Sequence, residues 1–394
     1  MKNLAALSVC VFLHLCAAAQ TLDWNIAFDY RFSNYEYARS GGMYDLSYTL
    51  HAARLTPEAG ILLKQGGNVF HRVRAGVDLF RDMGAYSGAG ELFGETVLYY
   101  GLEAAFRNGG VLEAVAGVFP RRFTRERDYI GPFMDDDRCF VDNNLEGMLF
   151  KYSNRRIYAE LALDWPGKIG DELHPLRRER FQILSDGCWN FAGAFSLLWC
   201  GSLYHFSCAP QLANVVDNGM LHLGVSWSPD TCLDDFSLDA RGLFTYQNDR
   251  HTGEGPLLPM GMTSRQRLGK WKLALENRFY FGDDLMPLYE SGYGGVQYGA
   301  DLYYADLAFH TRHASPSWAD CLSVLYEPSL GRFLKLCVGF SFKFGEPPAA
   351  SGILVFRGWQ QTFALRFDLD AMRPSPAAAG KKRFLFDGLK KYAF

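Results

Sequence analysis

Polar and apolar side chains alternate with a period of two along much of the chain after residue 20. In the segment 23–32 every second residue is large and apolar: Trp24, Ile26, Phe28, Tyr30 and Phe32. The positions between them are mostly polar. Successive side chains of a strand point to opposite faces, so this pattern predicts a strand with one apolar face. The same alternation returns in 157–165, 236–246, 271–281, 333–344 and 353–369.

The connectors between these segments come in two lengths. Four tight turns are predicted at 65–68, 107–110, 153–156 and 268–271. Longer polar stretches lie between them, at 33–47, 81–95, 120–144, 166–177, 206–219, 247–262 and 282–299. This regular exchange of short turns and long loops is typical of membrane barrels, whose loops are long at one end only. We expect about eighteen strands, with sixteen as the alternative, because 178–206 and 345–394 can be divided in more than one way.

The first nineteen residues have the composition of a cleaved signal peptide. Lys2 precedes an apolar run from Leu4 to Leu15, and small residues follow at 17–19. A lipoprotein signal at Cys16 is less favoured because Leu15 is large, and the run is too short for a membrane anchor. The predicted organisation is therefore a signal peptide at 1–19 and one barrel at 20–394, exported to the bacterial outer membrane.

Composition and charge exclude several other classes of protein. With 48% hydrophobic and 15% aromatic residues, the chain is not intrinsically disordered. Its formal net charge is −3, and it becomes −4 when the predicted signal peptide with Lys2 is removed. Such a charge is too near neutral to favour a nucleic-acid partner. Seven of the nine cysteines follow residue 19, and none forms a C-x-x-C pair. We therefore expect no metal site and no cofactor, while a single disulfide stays open.

The choice between a soluble sheet and a membrane barrel depends on where aromatic and charged residues fall. Large aromatic residues lie near the predicted strand ends, as a membrane interface requires: Trp24, Tyr152, Trp165, Tyr246, Trp271, Trp359 and Tyr392. Charged residues lie in mid-strand, where a wet interior would solvate them: Arg72, Arg74 and Asp78. An open sheet of this size would also leave exposed edges. The sequence therefore predicts an all-β, transmembrane, antiparallel up-and-down β-barrel.

With these features, residues 20–394 resemble the porin-type barrels of bacterial outer membranes. The terminal Phe394 is similar to the residue that such barrels present to their assembly machinery, although Gly388 and Lys390 depart from the pattern of a final strand. The resemblance implies a channel for passive or solute-selective diffusion of small hydrophilic solutes, and no enzymatic activity. It also implies contact with outer-membrane lipid, lipopolysaccharide and the barrel-assembly machinery, as a monomer or a homotrimer.

The third external loop, 120–144, is the candidate constriction. It carries a basic cluster followed by an acidic one: Arg121, Arg122, Arg125 and Arg127, then Asp135, Asp136 and Asp137. In general porins the loop at this place folds inward and sets acids against bases across the narrowest point, which implies the same role here. A solvated surface loop is the alternative. Charged residues expected to line the lumen are Arg31, Arg72, Arg74, Asp78, Arg241, Arg278 and Arg366.

Two other functions use the same architecture. A barrel can be an adhesin or secretion-system scaffold, since a plugged lumen would give the same sequence pattern. A rim-located hydrolase is less favoured, because the chain contains neither a G-x-S-x-G nor an H-E-x-x-H motif. Its candidate groups would be His205 with Asp217, or His251 with Asp249.

Overall fold

The structure is a computed structural model that describes residues 20–37, 47–84, 92–125, 134–302, 316–328, 331–345 and 355–372. The predicted signal peptide and the segment 382–394 lie outside these residues. Within them, no helix is long and apolar enough to cross a membrane. The seven cysteines after residue 19 are all described, and they are thiols.

Sixteen strands of the described residues form the barrel wall. They are β1 (Gln20–Tyr37), β2 (Tyr48–Gln65), β3 (Val69–Asp82), β4 (Phe93–Ala105), β5 (Val111–Pro120), β6 (Asn144–Ser153), β7 (Ile157–Gly167), β8 (Arg180–Ala192), β9 (Phe195–Phe206), β10 (Val216–Trp227), β11 (Asp235–Asp249), β12 (Met260–Lys270), β13 (Leu273–Gly282), β16 (Ser317–Tyr326), β17 (Leu334–Gly345) and β18 (Val355–Asp368). Between β13 and β16 the chain forms a hairpin of β14 (Gly292–Tyr293) and β15 (Val296–Gln297), and then a helical turn, α2 (Gly299–Leu302). The loop after β5 contains a 3₁₀ turn (Arg121–Phe123) and helix α1 (Asp136–Val141), and a second 3₁₀ turn (Leu369–Met372) follows β18.

Neighbouring strands are antiparallel and the sheet closes on itself. The first strand pairs with the last, with Phe32 opposite Phe363, so β18 supplies the closing edge. This confirms the predicted fold class with the alternative count of sixteen strands, and the count of eighteen was too high. The ambiguous segment 178–206 forms β8 and β9, whereas the described part of 283–316 belongs to a connector and not to the wall.

The alternation predicted from the sequence separates the two faces of the wall. Trp24 is 40% exposed, whereas its neighbour Asn25 is fully buried. The same contrast recurs around the barrel, with apolar side chains outside and polar or charged ones inside. A sheet with an apolar outer belt and a polar interior is a transmembrane barrel.

The two ends of the barrel differ in the length of their connectors. At the end that holds residue 20, turns of two to seven residues join the strands, and at the other end the loops have nine or more. The predicted turns at 65–68, 107–110 and 153–156 are confirmed. The turn predicted at 268–271 lies slightly later, because Trp271 and Lys272 form it with positive φ angles of 51° and 68°. Lys272 is therefore an exposed turn residue.

Candidate functional site

The described parts of the loop between β5 and β6 lie inside the barrel. The ring of Phe123 packs against those of Tyr99 and Phe119, with centroids 5.4 and 6.1 Å apart, and both partners are buried on the inward face. Asp135 caps helix α1 by accepting a hydrogen bond from the Arg138 amide at 3.0 Å. Apolar contact at one end and a capped helix at the other fix the described parts of this loop within the lumen.

Helix α1 is held by an arginine of the first strand. Arg31 on β1 forms an ion pair with Asp136 and a second one with Asp137, the latter at 2.6 Å. The hydroxyl of Tyr48 donates a further, longer hydrogen bond to Asp137 at 3.4 Å. Since Arg31 is buried, this pair of contacts fixes the acidic end of the loop to the wall between β1 and β2.

The pKa values of the two carboxyl groups of α1 shift in opposite directions, although burial acts to raise both. The side chain of Asp137 is 6% exposed, against 44% for Asp136. Burial raises the pKa of Asp137 above its ordinary value, and the lowering by Arg31 is smaller. Burial also acts to raise the pKa of Asp136, but the Arg31 guanidinium overcomes it and holds that pKa below its ordinary value. Asp137 therefore takes up a proton first as the pH falls.

A second arginine binds the carboxyl end of the same helix. Arg54 on β2 donates to the carbonyl oxygens of Phe140 at 2.7 Å and Val141 at 2.8 Å, which are among those that the end of a helix leaves unpaired. It also forms a buried ion pair with Asp78 on β3. The predicted lumen residue Asp78 is thus part of the support for the loop.

The basic cluster of the loop is paired with acidic residues of the wall. Arg121 donates to Asp164 on β7 at 2.8 Å, and Arg122 donates to Glu58 on β2 at 2.9 Å. Arg122 also lies 3.0 Å from Asp368 on β18.

Arg125 continues this pattern. Its guanidinium lies 3.8 Å from Asp186 on β8, and it stacks 3.5 Å from the centre of the Tyr158 ring. The expectation that this cluster faces Asp135, Asp136 and Asp137 directly across the narrowest point does not match these contacts, because wall carboxylates take up the three described arginines. Arg127 lies outside the described residues.

Below the loop, toward the end with short turns, a charged network lies on the lumen side of β1, β2 and β3. The fully buried Arg74 donates to both oxygens of Asp23 at 2.7 Å, lies 3.4 Å from Glu58, and donates to Asp370 at 2.9 Å. Arg72 adds an ion pair with Asp23 at 2.6 Å. Both arginines face inward as predicted, and their contacts join β1, β2, β3 and the 3₁₀ turn after β18.

A cavity of about 220 Å³ runs along the adjacent part of the wall, from β1 through β18, β17 and β16 to β13. Its lining extends from Lys335 to Lys343 of β17, nearly the length of that strand, and includes residues of β1, β13, β16 and β18. Helix α1 contributes Asp136 and Phe140 to its other side, and Asp135 before the helix also lines it. The described part of the loop thus borders a cavity that lies between α1 and the strands β1, β13 and β16–β18.

Charged side chains of both signs line this cavity. Arg278 donates to Glu276 at 2.7 Å, and Arg366 donates to Asp29 at 2.6 Å. Lys343 lies over the ring of Tyr35, with the nitrogen 4.7 Å from its centre. Of the predicted lumen residues, Arg31, Arg278 and Arg366 line the cavity. Arg241 faces inward on β11, 3.4 Å from Asp239, and is absent from the cavity lining.

A second loop also folds inward, which the sequence reasoning did not predict. The loop after β13 packs Met286, Tyr289 and Tyr298 against the inward residues Tyr204 and Phe206 of β9. The hydroxyl of Tyr298 bonds to the side chains of Asp249 and Asn214, the latter at 2.5 Å. A signal was present, because 285–302 is rich in tyrosine and leucine, and an external loop without a packing partner would have little use for them.

The two histidine–carboxylate pairs considered for catalysis differ in their contacts. His205 Nδ1 lies 3.1 Å from Asp217, which also accepts from Arg250 at 2.7 Å. This group lies at the outer rim on the outward face, since the adjacent Phe206 and Val216 are buried inside. His251 bonds to Asp249 only through its backbone amide. Among the described residues no group of three or more His, Cys, Asp or Glu is arranged to hold a metal ion.

No protein-family model matches the sequence, and no curated protein matches it. Solved structures do match. OpdL of Pseudomonas aeruginosa is 12% identical with a TM-score of 0.47, over 88% of this chain and 98% of that one. OmpF of Salmonella typhi, in complex with daunomycin, is 9% identical with a TM-score of 0.47, over 90% and 99%. A mutant of the Rh. blastica porin is 15% identical with a TM-score of 0.40, over 89% and 100%. With identities of 9–15% and TM-scores below 0.5, these similarities say nothing about solutes. The fold is assigned from the strand pairing of this chain.

Proposed function

We propose that the chain is an outer-membrane channel for the passive or solute-selective diffusion of small hydrophilic solutes. The observation that supports this most directly is the cavity between α1 and the strands β1, β13 and β16–β18, which follows β17 over nearly its whole length. A barrel built only as a scaffold has no need for such a space beside a rigidly held loop. Its charged lining suits hydrated solutes, because apolar molecules would have to displace ordered water.

In this proposal the loop 120–144 forms the constriction, and its anchors keep the passage at constant width. Arg121, Arg122 and Arg125 serve to attach the loop, while Asp135 and Asp136 face the solute. Selectivity then comes from the carboxylates of the loop and the bases of the facing wall, Lys335, Lys343 and Arg366. This places the solute-contacting bases on β17 and β18, where the sequence reasoning had placed them on the loop.

Export by a cleaved signal peptide, residence in the outer membrane, and contact with lipid, lipopolysaccharide and the assembly machinery belong to the same proposal. A homotrimer is compatible with it. The apolar outer belt supports these expectations, since such a surface has to be covered by hydrocarbon or by protein.

The test is conductance of the refolded protein, residues 20–394, in a planar lipid bilayer. Steady single-channel current would support the channel. A sealed barrel would overturn it and favour the scaffold function. Hydrolysis of lipid or peptide by a sealed barrel, lost in His205→Ala, would favour the hydrolase instead.

A further inference from the structure

A band of polar side chains crosses the outward face of three neighbouring strands: Ser264 and Gln266 on β12, Asn277 on β13 and Asp320 on β16. Their direction follows from their neighbours. On β13, Leu275 and Phe279 are exposed on the outside, whereas the intervening Glu276 and the following Tyr280 are buried. Asn277 lies two residues from each member of the exposed pair, so its side chain points outward as well. On β16, Asp320 lies four residues before the exposed Val324 and directly after the buried Ala319. Its side chain therefore points outward.

The members of the band are contiguous across the sheet. Gln266 is directly opposite Asn277, and Phe279 is opposite both Ser264 and Asp320. Gln266 Nε2 donates to Ser264 Oγ at 2.8 Å, and the side chain of Asn277 is hydrogen-bonded to Asp320. The Oδ1 atoms of Asn277 and Asp320 are covered by neighbouring side chains and have no hydrogen-bond partner within the described residues. The polarity of the band is therefore not fully compensated within one copy of the chain.

The band lies at mid-height in the wall. Asn277 is near the middle of β13, and the outward positions on either side of it along that strand are Leu273, Leu275, Phe279 and Phe281. Hydrocarbon would therefore surround the band if lipid covered this face. A carboxylate with two carboxamides is disfavoured there, and polar groups at this depth normally meet a partner. Elsewhere on the outward face, charged residues such as Glu36 and Asp217 lie at strand ends near the outer rim.

We propose that a second copy of this chain covers the band. A partner at this depth has to span the membrane and present polar groups at the same height. Every copy inserted by the same route has the same orientation and depth, so a rotation about the membrane normal brings one band against another. The hydroxyl and amide groups of Ser264, Gln266 and Asn277 supply both donors and acceptors, which makes the band self-complementary.

The first test replaces Gln266 with the photo-crosslinking amino acid p-benzoylphenylalanine and irradiates intact outer membranes. The expected product is a covalent species of twice the chain mass, whose crosslinked peptides both belong to this chain. The control places the same amino acid at Leu98, which is exposed on β4 across the barrel. Adducts of Gln266 with lipid only, or with a different protein, would overturn the proposal, as would equal dimer yield from both positions.

The second test removes the polarity of the band with the double variant Asn277→Leu and Asp320→Leu. The barrel should keep its compact, heat-modifiable electrophoretic mobility, because leucine suits an outward position. The fraction of oligomer in mild detergent should fall, with a dissociation constant raised about tenfold or more. Ser185→Leu, an outward polar position on β8, is the matched control and should leave the oligomer unchanged. An unchanged oligomer in the double variant would overturn the proposal. This outcome is independent of channel activity, which is measured separately by conductance.

Discussion

Arg122, in the loop that enters the lumen, donates to Glu58 of β2 at 2.9 Å and so connects this loop to the barrel wall. The same guanidinium lies 3.0 Å from Asp368 of β18. A single side chain therefore holds the loop to two strands on either side of β1. This contact is buried in the lumen, where ion pairs are screened far less than at the surface.

Replacing Arg122 with Met should loosen the loop without unfolding the barrel. Glu58 would keep its hydrogen bond from the Tyr99 hydroxyl at 2.9 Å, and the wall pairing is untouched. We expect higher mean single-channel conductance with more current noise. Arg250→Met, which removes an exposed arginine at the outer rim, is the matched control and should behave like wild type. Unaltered current in R122M would mean that the loop does not limit the passage.

Replacing Arg74 with Met should destabilise the barrel strongly. The change leaves Asp23 and Glu58 buried with less compensating charge, and Asp370 loses its arginine partner. Breaking a buried ion network by removing one member costs about 3–5 kcal/mol. The measurement is urea unfolding in detergent, followed by tryptophan fluorescence. Arg250→Met again serves as control, and its exposed pair should contribute about 1 kcal/mol or less. Similar losses for the two variants would contradict the role given to the network.

Ion selectivity should respond to the wall lysines more than to the loop arginines. The variant Lys335→Gln with Lys343→Gln removes two positive charges from the cavity lining, so the reversal potential in a salt gradient should shift toward cation preference. Arg121 is absent from that lining and is paired with Asp164, so Arg121→Gln should shift the potential less. A larger shift in R121Q than in the lysine variant would return the selectivity to the loop arginines.

The loop should detach in acid, with opposite contributions from its two carboxyl groups. The pKa of Asp136 is lowered, so its ion pair stabilises the loop above the ordinary carboxyl pKa of about 3.9 and is lost as the pH falls through the lowered value. The pKa of Asp137 is raised, so its charge costs stability above that raised value, and the cost is relieved as the pH falls through it.

The variants Asp136→Asn and Asp137→Asn separate these contributions. At neutral pH D136N should lose stability, by about 1 kcal/mol or less because the group is half exposed. D137N should lose none or gain slightly, because it removes a charge that costs stability. As the pH falls from about 4 toward 2, D136N and wild type should converge. The measurement is thermal unfolding in detergent at several pH values. A D136N deficit that persists unchanged in acid would show that its effect is not electrostatic.

The wall could be predicted from the sequence because strand periodicity is local. The alternation of Trp24 with Asn25 assigns inside and outside without knowledge of any other strand, and the glycine and asparagine turns mark the end with short connectors. The strand count was less certain because 178–206 and 345–394 could be divided in more than one way. The long segment after β13 was a further difficulty, since its described part does not belong to the wall. Which of its residues pair, pack or enter the lumen depends on partners far away in the sequence.

The site was harder to predict for the same reason. Arg121 and Asp164 are neighbours only because β7 passes the place where the loop enters, and no pattern near either residue indicates it. The clusters 121–127 and 135–137 looked like two opposed groups because they are adjacent in the chain. In the folded protein Arg121, Arg122 and Arg125 lie next to carboxylates of the wall, and Asp136 and Asp137 pair with Arg31. The sequence therefore indicated which charged residues of the loop form ion pairs. Their partners in the wall are determined by the topology of the barrel.

The position of Arg122 between Glu58 and Asp368 has a consequence for assembly. Its two partners lie in the second strand and in the last one, so they come near each other only after the first and last strands have met. Before the sheet closes, Arg122 can contact one of the two carboxylates but cannot lie between both. The narrow part of the lumen therefore takes its shape at the moment of ring closure, and a half-inserted barrel would leak.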